Sequence, residues 1–377
     1  MRNKIGLVTL YQGNFGSSLQ AYSSKCMIER MGFKCDVIYK KSNYFQKIKR
    51  RIVLIKMHFI DPRSANKKFY LRDETRKLIQ RFVYKELNPV GYTTHELNDI
   101  DNKEEYTGFI VGSDQVWNLN NYPDNICFLK FARNKPKIAF AVSVGGCDLS
   151  KRKRKYLKKN IRQFVSISVR EEFAHKVICG LFPQKVELIC DPTIMFNTYE
   201  WKDFSKNGLK LSYDYVLMHF IDKPSVKAIK FIDSIQKKFG IKMICFGYYH
   251  DELRHIPNFI FLDGSPVDYV SLIFGAKFIV TDSYHTSLFS IYNNISFRVF
   301  GRQYQTKYNQ DDRILYLLRL FGLNNLFDND RLDIDYNYEM VNKKIAECRI
   351  ITTEWLKKSL DCILEMNNDN KKNGGRK

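Results

Sequence analysis

Short apolar runs recur along the chain, each opening into a polar turn and then into apolar positions at helical spacing. This is the rhythm of a parallel β/α sheet, whose strands are buried on both faces. The clearest instance is Phe278-Ile279-Val280-Thr281, followed by Asp282, Ser283, Tyr284, His285 and Thr286 and then by Leu288, Phe289 and Ile291. The spacing predicts a strand over 278–281 and a helix just after it, capped by Asp282 or Ser283. Such a turn sits at a strand's carboxyl end, where open α/β sheets place ligands, and the new helix offers N–H groups to an anion. His285 falls in its first turn. A capped helix with a histidine that only packs explains the same pattern, so the chemistry needs support from elsewhere in the chain.

The same reading gives strands over 5–10, 35–39, 109–111, 137–144, 165–169 and 186–190, then over 215–219, 242–246, 259–262, 278–281 and 297–300. After the first strand, Gly13, Asn14, Gly16, Ser17 and Ser18 form a turn that leads into a helix ending near Met31 and Gly32. Gly13 and Gly16 let the backbone approach a ligand, although they match neither the dinucleotide fingerprint nor the phosphate-binding Lys loop. Residues 41–105 read as polar, basic helical decoration. The run at 109–111 opens into Gly112, Ser113, Asp114, Gln115, Val116, Trp117 and Asn118, more hydrogen-bonding capacity than a plain turn needs. Asp114 capping a helix above a packed Trp117 is the structural alternative. Arg170 follows the strand at 165–169 and is expected to face the same rim, either in a surface ion pair or as a planar fork for phosphate or carboxylate. Asp191-Pro192-Thr193 ends the first unit. The domain boundary is expected within 195–212, giving a first Rossmann-like domain over 1–200 with a basic insertion near 41–105. A second follows over 201–366, its last helix, 338–366, able to brace the first, and 367–377 is expected to be a disordered tail.

Composition sharpens this picture. A chain of 377 residues, 44% of them hydrophobic, exceeds one ordinary core. The nine cysteines are scattered without metal-type spacing and read as buried reduced thiols. No apolar run of about 18 residues occurs, and Met1-Arg2-Asn3-Lys4 leads straight into a strand, so the expected location is the cytoplasm. A net charge of +22 calls for anionic partners. Part of the excess lies on a predicted basic surface helix from Lys151 to Arg162. Another part flanks Ile48, Ile52, Ile55 and Phe59, an amphipathic segment that either packs on its own domain or rests peripherally on an anionic bilayer at the inner membrane face. Neither segment interleaves aromatic residues as nucleic-acid platforms do, so no nucleic-acid partner is expected.

Taken in order, Gly13-Asn14-Phe15-Gly16 with Leu19-Gln20-Ala21, Phe109 to Asn118, Ser168-Val169-Arg170-Glu171, Asp191-Pro192-Thr193 and Thr281-Asp282-Ser283-Tyr284-His285 resemble the polysaccharide pyruvyl transferase family over roughly residues 4–330. The resemblance implies an α/β fold of two Rossmann-like domains facing across a cleft, similar to B-type glycosyltransferases. It also implies transfer of the enolpyruvyl group of phosphoenolpyruvate onto two hydroxyls of a sugar as a ketal, in making a bacterial capsule or exopolysaccharide. His285 and Asp114 are then the proton-transfer candidates, with His285 as acid or base. Arg170, Asn14, Gly16, Ser17, Gln20, Ser113, Gln115, Ser283, Thr286 and Arg313 are the substrate-binding candidates. Many family members carry an arginine two residues before this histidine. Here that position is Ser283, and Arg313 or Arg302 is the expected substitute. No cofactor or metal is expected beyond the donor, and the acceptor is expected to be lipid-linked or nucleotide-linked. A glycosyltransferase using a nucleotide-sugar donor is the alternative on the same fold.

Overall fold

The structure, a computed structural model, describes residues 3–41, 71–101, 105–119, 125–145, 149–302, 311–332 and 336–374. The amphipathic segment expected over 48–59 lies outside them. The strands fall into two sheets, parallel throughout. The first holds β1 (Lys4–Val8), β2 (Lys34–Lys40), β3 (Val90–Tyr92), β4 (Gly108–Asp114), β5 (Lys137–Val142), β6 (Ser166–Val169) and β7 (Val186–Leu188), in the order β3-β2-β1-β4-β5-β6-β7. The second holds β8 (Tyr215–His219), β9 (Lys242–Phe246), β10 (Phe259–Leu262), β11 (Phe278–Thr281) and β12 (Phe297–Val299), in the order β10-β9-β8-β11-β12. Strands β4, β8 and β11 are buried along their whole length, as unbroken apolar runs in two-sided sheets should be. In each sheet the chain changes direction once, between β1 and β4 and between β8 and β11. These switch points open crevices at the strands' carboxyl ends.

Among the described residues the α-helices are α1 (Phe15–Arg30), α2 (Asp73–Phe82), α3 (Thr94–Ile100), α4 (Lys151–Ile161), α5 (Glu172–Cys179), α6 (Thr198–Phe204), α7 (Val226–Phe239), α8 (Pro266–Gly275), α9 (Tyr284–Tyr292), α10 (Asp312–Leu320) and α11 (Tyr338–Gly374). The two halves meet along α1 and α8. Phe15 stacks on Tyr269 with ring centroids 4.8 Å apart and on Phe246 at 5.2 Å. Helix α11 returns to the first sheet. Its Trp355 stacks on Phe140 of β5, and its Thr352 hydroxyl accepts from the Cys190 N–H at 3.1 Å.

Two expectations need correction. The segment 41–105 is more than helical decoration, because β3 forms the edge of the first sheet and pairs with β2. Three residues around Gly91 are too few for a period to show. The tail expected to be disordered from 367 instead continues α11 to Gly374. No proline interrupts residues 367–374, so nothing in the backbone chemistry breaks the helix there.

Candidate functional site

Helix α1 starts where β1 ends. Asn14 caps it, its Oδ1 accepting the Ser17 N–H at 2.7 Å. Ser17 then aims its hydroxyl at Asp114, donating to Oδ2 at 2.8 Å. Asp114 ends β4 with φ of +71°, a conformation that aspartate tolerates better than most residues. Its carbonyl accepts the N–H groups of Val116 at 2.8 Å and Ser143 at 3.0 Å, which fix that conformation. Because β4, β5, β6 and β7 are consecutive in the sheet, Arg170 after β6 reaches Asp114 on one side and Asp191, just past β7, on the other. Its Nη2 donates to Asp114 Oδ1 at 2.7 Å and its Nη1 to Asp191 Oδ2 at 2.6 Å. The guanidinium has no exposed surface.

Arg170 therefore does not stand open at the rim as the sequence predicts. Its fork is occupied by two carboxylates, and the ring of Tyr284 lies 5.0 Å from its Cζ. Burial alone would raise the Asp114 carboxyl, but Arg170, then His285, the Ser17 hydroxyl and Arg313 outweigh it and hold Asp114 below its ordinary value. For Asp191 burial is likewise overcome, here by His285 and Arg170, and its carboxyl sits well below the usual range. Asp191 also accepts the N–H and hydroxyl of Thr193 at 3.1 and 2.8 Å, anchoring the turn that Pro192 begins.

From the second domain, β11 is followed by Asp282, and α9 begins after Ser283, whose Oγ accepts the Thr286 N–H. Asp282 does not cap the helix. It accepts the N–H groups of Ile221 and Asp222 at 2.7 and 2.9 Å and has Arg302 Nε at 3.2 Å, so it organises the turn after β8. His285 is aimed across the cleft, with Nε2 3.6 Å from Asp191 Oδ2, an electrostatic contact beyond hydrogen-bond range. Nε2 is buried and has no hydrogen-bond partner among the described residues. A Cβ at Gly16 would overlap the imidazole, so the first turn of α1 gives up a side chain to let His285 in.

Among the other predicted site residues, Ser113 lies in the cluster, 3.5 Å from Arg170 Nη1, and donates to Ala141 O at 2.9 Å. Arg313 is brought in as well, its Cζ 5.8 Å from the Tyr284 ring centre. Gln20 instead holds the β1 turn together, its amide donating to Thr9, Leu10 and Ser17. Thr286 is hydrogen-bonded to the Tyr269 hydroxyl at 2.8 Å, and Gln115 accepts from the Asn118 amide at 2.8 Å. Sequence reasoning missed three members of the cluster. Asp191 and Tyr284 stand within the stretches that carry the resemblance, but neither is named there as a site residue. Glu171 is buried with Arg170 Nε 3.7 Å from its Oε2, and burial outweighs Arg170 and the contacts to Ser143 and Val144 in pushing its carboxyl up. Among the described residues no group of three or more His, Cys, Asp or Glu side chains is arranged to hold a metal ion.

The family profile of polysaccharide pyruvyl transferases matches residues 14–304, which span every element of this cluster except Arg313. The chain belongs to the polysaccharide pyruvyl transferase family. No curated protein matches it. Among solved structures, the Arabidopsis thaliana UGT89C1 structure is 9% identical, covering 98% of this chain and 100% of its own, with a TM-score of 0.50. The UDP-GlcNAc 2-epimerase of Methanocaldococcus jannaschii is 12% identical over 92% of both chains with a TM-score of 0.49. At such identity the likeness is one of fold: this family member has a two-domain, Rossmann-like architecture similar to the B-type glycosyltransferase structure of UGT89C1.

Proposed function

We propose that this transferase moves the enolpyruvyl group of phosphoenolpyruvate onto two hydroxyls of a sugar, forming a pyruvate ketal in a surface polysaccharide or its lipid-linked or nucleotide-linked precursor. The observation that carries this reading is the cluster at the two facing switch points, where His285 of one domain meets the Asp114–Arg170–Asp191 network of the other. Ketal formation needs a group that both gives and takes a proton, and imidazole is the side chain whose ordinary pKa suits both near neutrality. In this reading His285 delivers a proton to the methylene carbon of the donor while an acceptor hydroxyl attacks the adjacent carbon, and the hydroxyl proton returns to His285. The carbon–oxygen bond to phosphate then breaks, inorganic phosphate leaves, and the second hydroxyl closes the ring as its proton passes to phosphate. Asp191, held ionised, stabilises the imidazolium, and Asp114 with the Ser17 hydroxyl receives the acceptor.

Arg170 serves this scheme by holding the two aspartates ionised and aligned, and not as the first ligand of the donor. The donor's negative charge falls to Arg313, aided by Arg302 and the N–H groups that open α9. The chemistry needs no cofactor and no metal. The reaction belongs in the cytoplasm, where phosphoenolpyruvate is available. Among the described residues no helix is long and apolar enough to cross a membrane.

The test is incubation with phosphoenolpyruvate and a panel of lipid-linked and nucleotide-linked sugars. The expected product gains the mass of pyruvate less water, with inorganic phosphate released in equal amount. Consumption of a nucleotide sugar without phosphate release from phosphoenolpyruvate would replace this reading with glycosyl transfer.

A further inference from the structure

Helix α4 carries its charge against its own dipole. Its first four residues, Lys151, Arg152, Lys153 and Arg154, place cations at the end that already bears the partial positive charge, and no acidic residue lies in that turn. Lys155, Lys158, Lys159 and Arg162 extend the same sign to the far end. Leu157, Asn160 and Ile161 are buried against the first domain, whereas Lys151, Arg152, Lys155, Lys158, Lys159 and Arg162 are exposed. Among the described residues, Lys151, Arg152, Lys155, Lys158 and Lys159 make no ion pair. Lys130, from the segment before β5, adds one more cation, lying 5.1 Å above the ring of half-exposed Tyr156. Stability of the isolated fold does not call for such a face. Like charges on successive turns repel, and the helix end they occupy prefers anions.

The position of α4 gives the charge a use. The helix leaves the carboxyl end of β5 and returns to the start of β6, so its cationic first turn lies at the same end of the sheet as Asp114 and Arg170. We infer that the exposed face of α4 docks the protein on an anionic lipid surface, with the rim of the cleft turned toward that surface. The occupant is a bilayer rather than a polynucleotide, because the face presents a broad array of flexible lysines with one aromatic ring and no stacking platform. Tyr156 suits the headgroup region, where aromatic rings with a polar tip concentrate. No apolar stripe faces outward, so adsorption is electrostatic, and raised ionic strength reverses it. The inference bears on the proposed reaction only in saying where a lipid-linked acceptor would be met, and its test needs no turnover.

The full chain is sedimented with vesicles of phosphatidylcholine alone and of phosphatidylcholine mixed with phosphatidylglycerol. Binding is expected to the mixed vesicles only. Changing Lys151, Arg152, Lys155, Lys158 and Lys159 together to Gln should lower partitioning by about a hundredfold or more, since each basic residue near such a surface contributes severalfold. A control with the same net charge changes Lys206, Lys210, Lys227, Lys230 and Lys237, all exposed on the second domain, to Gln and should keep most of the binding. These surface changes leave the core intact, which circular dichroism checks. Three results overturn the inference: no preference for anionic vesicles, equal losses in the two variants, or tighter binding to random duplex DNA at matched anionic charge that the α4 variant alone abolishes.

Discussion

Two strand-to-helix turns face each other at the switch points of the two sheets, and they are built alike. In the first, β1 runs into Asn14, which caps α1 through the Ser17 N–H. In the second, β11 runs into Ser283, which caps α9 through the Thr286 N–H. Both helices begin buried. The difference lies at the second helical residue, which is Gly16 in one and His285 in the other. The glycine contributes an absence, the space the imidazole fills, while Ser17 beside it fixes Asp114. One turn thus supplies the reactive group and the other shapes its surroundings, so the site is complete only when the domains are closed on each other.

The largest effect expected in this pair of turns comes from the cation between them. Arg170→Met leaves Asp114 and Asp191 buried without their shared counter-ion, a change worth about 3–5 kcal/mol of stability. Urea unfolding should register it, and Arg170→Lys, which keeps the charge but not the fork, should recover only part. If Arg170→Met unfolds like the wild type, the aspartates are not held as the geometry indicates. The partners were each legible in the chain, but their pairing was not. Arg170 is 56 residues from Asp114 and 21 from Asp191. Only the order β4-β5-β6-β7 places all three at one rim, and strand order cannot be read from apolar runs. For the same reason Arg170 looked like a rim ligand: the sequence shows a fork but not what already fills it. The buried strands themselves were legible, because two-sided burial writes an unbroken apolar run such as Phe278 to Thr281, whereas Val90–Tyr92 leaves no such mark.

Next in size is the loss of the reactive group. His285→Gln preserves shape and one polar contact yet cannot shuttle a proton, so turnover should fall by about a hundredfold or more while melting temperature and donor affinity change little. Retained turnover at saturating substrates would move the proton transfer to another group, Asp114 first. Gly16→Ala sharpens the comparison from the opposite side. It leaves His285 in place chemically but pushes it from its seat, so it should lower turnover and stability together, whereas His285→Gln lowers turnover alone.

A smaller, pH-dependent effect concerns Glu171, buried beside Arg170 with its Oε2 3.7 Å from Nε. Burial raises its carboxyl above the ordinary value. A group whose pKa is raised on folding contributes stability that is complete below its unfolded value and lost as pH rises through the folded one. Glu171→Gln mimics the neutral acid. It should match the wild type near pH 4 and exceed it at pH 7, by on the order of 1 kcal/mol. Denaturant titrations at the two pH values decide the sign. A variant less stable at pH 7 would mean that Glu171 is ionised and favourably paired with Arg170.

The smallest expected effect separates a cap from a ligand. Asn14 is among the substrate-binding candidates of the family resemblance, whereas the geometry assigns its Oδ1 to the Ser17 N–H at 2.7 Å. Removing an N-cap side chain costs about 1 kcal/mol, as the helix's first N–H groups lose their acceptor. Asn14→Ala should therefore lower stability by about that much, and Ser283→Ala on the opposite turn should do the same, since both side chains do one job. Turnover should respond to Asn14→Ala only through Ser17, whose hydroxyl keeps its own bond to Asp114 and so keeps the carboxylate aligned. Unfolding measurements together with KM for phosphoenolpyruvate test both halves of this statement. An unchanged stability with a several-fold rise in KM would show that Asn14 spends its hydrogen bond on the donor, and the likeness between the two turns would end there.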